Sequence, residues 1–223
     1  MTAARAWHLL TLVVVLVALV LQTALVIDGA SVLDETQVPP LSTRLFQLVC
    51  YFTIQSNLLV AVMAAGLVID PHRDGLLWRV LQTDAVLGIT LTGLVHFTLL
   101  RPLLDLHGAN AVADTLLHVA APLLAVVGWV LFGPRPRLDA RTACWSLVWP
   151  IGWLVVTLLL GAMRDWYPYP FLDVAQHGLG TVLLTCAGVT ALFLVLLAAM
   201  WLAERFLPAT PRGTAPPSEP VHG

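Results

Sequence analysis

From Leu45 to Ile69 the chain runs without one charged residue, and five more long stretches are predominantly apolar. The six are Trp7–Ile27, Leu45–Ile69, Leu77–Leu100, Ala111–Phe132, Ala143–Met163 and Leu179–Ala203. Each reaches about the 20 residues that a helix needs to cross a bilayer core. Inside hydrocarbon the backbone has no water to bond, so a single apolar segment satisfies its own N–H and C=O groups only as a helix. The expected fold is an all-α integral membrane protein: six transmembrane helices in a single bundle over residues 1–207. Residues 208–223 are rich in Pro, Thr and Ser and are expected to form a disordered tail. The first stretch is too long for a signal peptide and no clear small-x-small cleavage site follows, so a retained helix is expected.

Composition agrees. Hydrophobic residues make up 59% of the chain and charged residues 11%, against about 25% charged in soluble proteins. A formal net charge of -2 offers no basic face for nucleic acid. Every basic residue is Arg, which removes Schiff-base and phosphate-loop lysines. Cys50, Cys144 and Cys186 form no CxxC, and no metal or redox role is assigned to them.

The arginines set an expected orientation. Arg5, Arg73, Arg79, Arg135, Arg137, Arg141, Arg205 and Arg212 gather at one set of helix ends, while Arg44, Arg101 and Arg164 lie at the other. The richer side is expected to be cytoplasmic, which puts both termini there. The outward loops then include Asp34 and Glu35, and the segment Arg164–Asp173. Its Trp166, Tyr167 and Tyr169 are expected at the outer interface as a cap.

Polar side chains within the apolar stretches are costly unless they face partners or water, so they are the functional candidates. Thr53, Ser56 and Asn57 share one helical face. Counted from the outer helix ends, Thr53 is roughly 13 Å deep and His118 roughly 12 Å deep, at one level on separate helices. A hydroxyl and an imidazole so placed are the minimum for base-assisted nucleophilic attack. Asp114, one turn before His118, is placed to orient the imidazole. Pro122, four residues after, removes the partner of the His118 carbonyl and predicts a kink. Spacing alone also allows these groups to be interhelical glue. His96 counts to roughly 7 Å and is a further candidate for the same cavity. Asp84 is expected to pair with Arg79.

No GxSxG, HExxH, GxxxxGK[ST] or GxGxxG motif is present. Zinc held by His96, Asp114 and His118 is disfavoured because their counted depths differ by about a helical turn. No cofactor and no metal are assigned.

Three stretches together resemble a known family. They are Tyr51-Phe52-Thr53-Ile54-Gln55-Ser56-Asn57 in the second helix, Leu116-Leu117-His118 with Pro122 in the fourth, and Trp166-Tyr167-Pro168-Tyr169-Pro170 before the sixth. The chain resembles the androgen-induced-gene family of multi-pass membrane proteins, and its Gln55-Ser56-Asn57 is similar to the bacterial members. The resemblance implies a plasma-membrane protein of bacterial type. Animal members are threonine hydrolases of fatty acid esters of hydroxy fatty acids, and their required Thr and His fall on Thr53 and His118.

The expected function is hydrolysis of lipid-like esters within the membrane, with Thr53 as nucleophile and His118 as base. Ser56 or Asn57 would donate to the oxyanion. The partner is a membrane lipid or amphiphilic ester. The alternatives are a non-catalytic binder or permease for a small amphiphile, and a b-type haem protein with His96 and His118 as axial ligands.

Overall fold

The computed structural model describes residues 2–29, 38–135 and 137–209. Asp34, Glu35, Arg212 and the tail beyond residue 209 lie outside the described residues. Helices form at α1 Ala3–Ile27, α2 Leu41–Cys50, α3 Phe52–Ile69, α4 Leu76–Leu103, α5 Gly108–Phe132, α6 Ala140–Arg164, α7 Val174–His177 and α8 Leu179–Phe206. No strand occurs among the described residues. All but α2 and α7 are long and apolar enough to cross a membrane, the make-up of a multi-pass integral membrane protein. Their outer faces carry Val13, Val62, Leu123, Leu159, Leu184 and Val195 in exposed positions, a surface that water would penalise and lipid tolerates.

α3 is the innermost helix. It packs along α1 on one side and α4 on the other, and α4 in turn packs on α5. The reason lies in its side chains. Ser56, Val60, Ala61 and Ala64 are small enough to let neighbours approach, and all are buried. At the opposite end from Thr53, Asp74 accepts hydrogen bonds from Arg79 Nε at 2.7 Å and Arg137 Nη1 at 2.9 Å. The expected Asp84–Arg79 pair does not form. Five residues apart on a helix is about 140° around its axis, so Arg79 turns to Asp74 and Asp139. Asp84 is buried on the other side, and its Oδ1 has no hydrogen-bond partner among the described residues.

Two local departures from regular helix shape the interior. The expected second helix is not continuous. It breaks at Tyr51, whose ψ of 130° is extended, so that α3 restarts at Phe52 inside the apolar region. A break there leaves backbone groups without helical partners, which apolar surroundings cannot satisfy. Side chains supply them: Gln55 Nε2 donates to the Val49 carbonyl at 3.0 Å, and Trp153 Nε1 donates to that of Cys50 at 2.9 Å. Trp149 Nε1 holds Gln55 Oε1 at 3.0 Å while its ring stacks on Phe52.

The second departure is a pair of wide, π-helical turns, His96–Leu100 in α4 and Leu116–Ala120 in α5. Pro122 accounts for the latter, since it has no N–H to offer the His118 carbonyl. The expected kink therefore takes the form of a widened turn. That carbonyl faces Gly93 of α4, where a Cβ would meet it at 3.2 Å. The missing side chain lets α4 and α5 close up where both histidines sit.

Candidate active site

Because α3 begins at Phe52, Thr53 lies on its first turn rather than deep within a straight helix. Its hydroxyl is 3.3 Å from His118 Nε2. His118 Nδ1 faces an Asp114 carboxylate oxygen at 3.0 Å and the Asp114 backbone carbonyl at 3.1 Å. Both are acceptors, so Nδ1 carries the proton of the neutral ring and Nε2 is left to accept. Hydroxyl, imidazole and carboxylate thus stand in line, in the order that nucleophile activation requires.

His96 joins them. Its ring stacks on that of His118, centroids 3.9 Å apart and planes 13° from parallel, and its Nε2 is 3.3 Å from Asp114 Oδ2. The counted depth mismatch between the two histidines is corrected. α4 runs on to Leu103, so a count from Leu100 sets His96 too shallow. Side-by-side rings that both turn an edge to Asp114 do not fit a bis-histidine haem, whose iron needs one ligand on each side. Arg101 Nη1 approaches Asp114 Oδ2 at 3.8 Å from the mouth.

Ser56 and Asn57, expected as oxyanion donors, have their hydrogens turned to backbone carbonyls. Ser56 Oγ donates to the Phe52 carbonyl at 2.8 Å, and Thr92 Oγ1 donates to it at 3.2 Å. Asn57 Nδ2 donates to the Thr53 carbonyl at 2.9 Å and to that of Leu117 at 3.4 Å. Both side chains are fully buried and their protons are committed. They tie α3 to α4 and to the turn that carries His118, which fixes the Thr53–His118 distance.

The group that does face the hydroxyl is Tyr169. It was expected at the interface, yet it is buried against Thr53. The Thr53 backbone N–H donates to its hydroxyl at 3.2 Å, and the two hydroxyl oxygens are 3.3 Å apart. That N–H is free because Thr53 opens a helix. Burial raises the phenol above its ordinary pKa, which keeps its proton available for donation. Pro168 and Pro170 shape the loop that turns Tyr169 inward, and Gly161 leaves room for the Tyr167 ring, which a Cβ would strike at 1.9 Å. In the sequence, the aromatic-proline pattern marks a rigid cap but not which ring enters it.

Two cavities meet at Thr53. One, about 200 Å³, is lined almost wholly by apolar groups including Phe52, Leu154, Phe171, Val189 and Phe193. Ile151 and Leu194 belong both to its lining and to the exposed outer face, so it opens sideways between α6 and α8. The other, about 70 Å³, holds His96, Asp114 and His118 and reaches Asn110 and the loop residues Leu104 and Leu106. Thr53, Leu100 and Tyr169 line both. An apolar chain entering from the side and water entering from the helix ends would meet at the Thr53 hydroxyl. No protein-family model, curated protein or solved structure matches this chain.

Proposed function

We propose that this chain is an intramembrane hydrolase of lipid-like esters, in which Thr53 is the nucleophile and His118 its base. The observation that carries the reading is the Thr53 hydroxyl, 3.3 Å from an accepting imidazole nitrogen and set where an apolar and a polar cavity join. The likeness of the Thr53 and His118 stretches to the androgen-induced-gene family favours the same pair. It also favours fatty acid esters of hydroxy fatty acids as the substrate class. The arginine asymmetry supports cytoplasmic termini, which would put the site in the outer half of a bacterial plasma membrane.

In the acylation step His118 Nε2 takes the Thr53 proton as Oγ1 attacks the ester carbonyl. Asp114 holds the ring in the accepting tautomer and stabilises the imidazolium that forms. The carbonyl oxygen gains charge and accepts from Tyr169 O–H, with the Thr53 N–H behind it. Donors aimed at a water-poor site are worth most there. The alcohol leaves with the proton from His118. Water from the polar cavity then gives its proton to Nε2 and attacks the acyl-threonine, which releases the acid and restores Thr53. A binder or permease would need no such proton path.

The test is turnover of a long-chain ester of a hydroxy fatty acid by purified protein in detergent. Thr53→Ala and His118→Gln should each lower kcat at least a hundredfold with the protein still folded. Undiminished turnover in Thr53→Ala, or none in the folded parent protein, would overturn the assignment.

A further inference from the structure

His96 is the group that the hydrolytic scheme leaves without work. Its side chain is almost wholly enclosed, 1% exposed, in a pocket where an unsatisfied polar atom is costly. Neither ring nitrogen has a hydrogen-bond partner among the described residues. Nε2 lies near Asp114 Oδ2 but off the line of a ring N–H. One ligand atom each from His96, Asp114 and His118 fall within 4.8 Å of one another.

We propose that His96, Asp114 and His118 form a site for a divalent transition-metal ion of the zinc type, and that its occupation switches off Thr53. The chemistry is that of two imidazoles and one carboxylate, a set that zinc accepts with a fourth position left to water. Arms of about 2.0–2.1 Å in a tetrahedron put neighbouring ligand atoms about 3.3 Å apart. His118 Nδ1 lies 3.0 Å from Asp114 Oδ1 and His96 Nε2 3.3 Å from Oδ2, and with one ligand atom of each residue within 4.8 Å of the others the rings close by at most about 1.5 Å to share an ion. The unpartnered His96 nitrogen is the independent sign, since a metal bond would satisfy it. Arg101 is half exposed at the mouth and can swing away from Asp114 as the cation arrives.

The switch follows from the proton count of one imidazole. A metal on Nδ1 displaces the proton that points at Asp114. The neutral ring then carries its one proton on Nε2, facing Thr53. An Nε2–H can donate to the Thr53 oxygen but cannot take its hydrogen. The metal-loaded protein therefore has a threonine without a base. Metal binding stands on its own geometry, whereas the loss of turnover rests on the proposed hydrolysis.

The test is a competition titration of Zn²⁺ against a chromophoric chelator, with the purified full chain in detergent, beside an ester turnover assay. Mg²⁺ serves as a control that two imidazoles should not hold. One equivalent of Zn²⁺ should bind the parent protein and Thr53→Ala alike. Binding should weaken at least tenfold in both His96→Ala and His96→Gln, the latter keeping the volume of the ring. It should be unchanged in His107→Ala, which removes an exposed histidine paired with Asp105. Turnover should fall at least tenfold with Zn²⁺ and return with a chelator. Binding that survives both His96 changes, or no binding by folded protein, would overturn the site. Faster turnover with Zn²⁺, persisting in Thr53→Ala, would overturn the switch in favour of a metal-activated water. Absence of any turnover, with zinc still lost in the His96 variants, would sink the hydrolase reading and leave the metal site upheld.

Discussion

The Tyr169 hydroxyl accepts the Thr53 backbone N–H at 3.2 Å and stands 3.3 Å from the Thr53 hydroxyl oxygen. The phenol is thus held by the same residue it would assist. Tyr169→Phe keeps the ring and its contacts with Tyr51 and Phe171 and removes only the donor. Loss of one oxyanion donor costs about 10²–10³ in kcat, and a drop of that size with KM little changed is expected. Steady-state kinetics with one long-chain ester check it.

Asp114 touches both imidazoles, through Oδ1 to His118 and Oδ2 to His96. Asp114→Asn keeps the shape and removes the charge that opposes the imidazolium. Turnover should fall by about 10²–10⁴, the range spanned by losing a base's orienting carboxylate. Retention of near-normal kcat in a folded Asp114→Asn protein would remove Asp114 from the proton path.

How much of this could be read from the chain itself varies with the kind of feature. The six spans were legible because apolar length is a property of consecutive residues; five appear with ends shifted by a few positions, while the second, expected from Leu45, begins only at Phe52. The shared depth of Thr53 and His118 was legible because position along two parallel helices can be counted from their outer ends; that the two side chains meet was not. The break at Tyr51 was not, since neither proline nor glycine marks it. It depends on Gln55 reaching back from the next turn and on Trp153 reaching across from α6. His96 was set too shallow because nothing local shows that α4 continues past Arg101-Pro102 to Leu103. Tyr169 was assigned to the interface because tyrosine belongs there by default, and only the path of the loop shows its ring turned inward.

The sideways cavity predicts selectivity. Val189 on α8 lines it and packs on the core. Val189→Phe should shorten the space beyond Thr53 and lower kcat/KM for long acyl chains at least tenfold, while short-chain esters keep most of their rate. A uniform loss across chain lengths would mean that the acyl group lies elsewhere. Overpacking costs about 1–3 kcal/mol, so a melting curve should accompany the assay.

At the opposite end, the hydrogen bond from Arg79, joined by Arg137, holds the Asp74 carboxyl well below the ordinary carboxylate range. The folded pKa is the lower one. The stabilisation is therefore complete above the unfolded value of about 4 and is lost as pH falls toward the folded value. Asp74 is half exposed, so screening limits the effect to about 1 kcal/mol or less. Asp74→Asn should lower the melting temperature slightly at pH 7, and its gap from the parent protein should begin to narrow as pH drops below about 4 and go on narrowing with further acid.

A hydroxyl that a base has made nucleophilic attacks the phosphorus of a fluorophosphonate probe and expels fluoride, and mass spectrometry of the labelled peptide reports which hydroxyl reacted. The account predicts a single adduct on Thr53, absent in Thr53→Ala and strongly reduced in His118→Gln. An unlabelled Thr53 in folded protein that still hydrolyses ester, or an adduct on another hydroxyl, would contradict it.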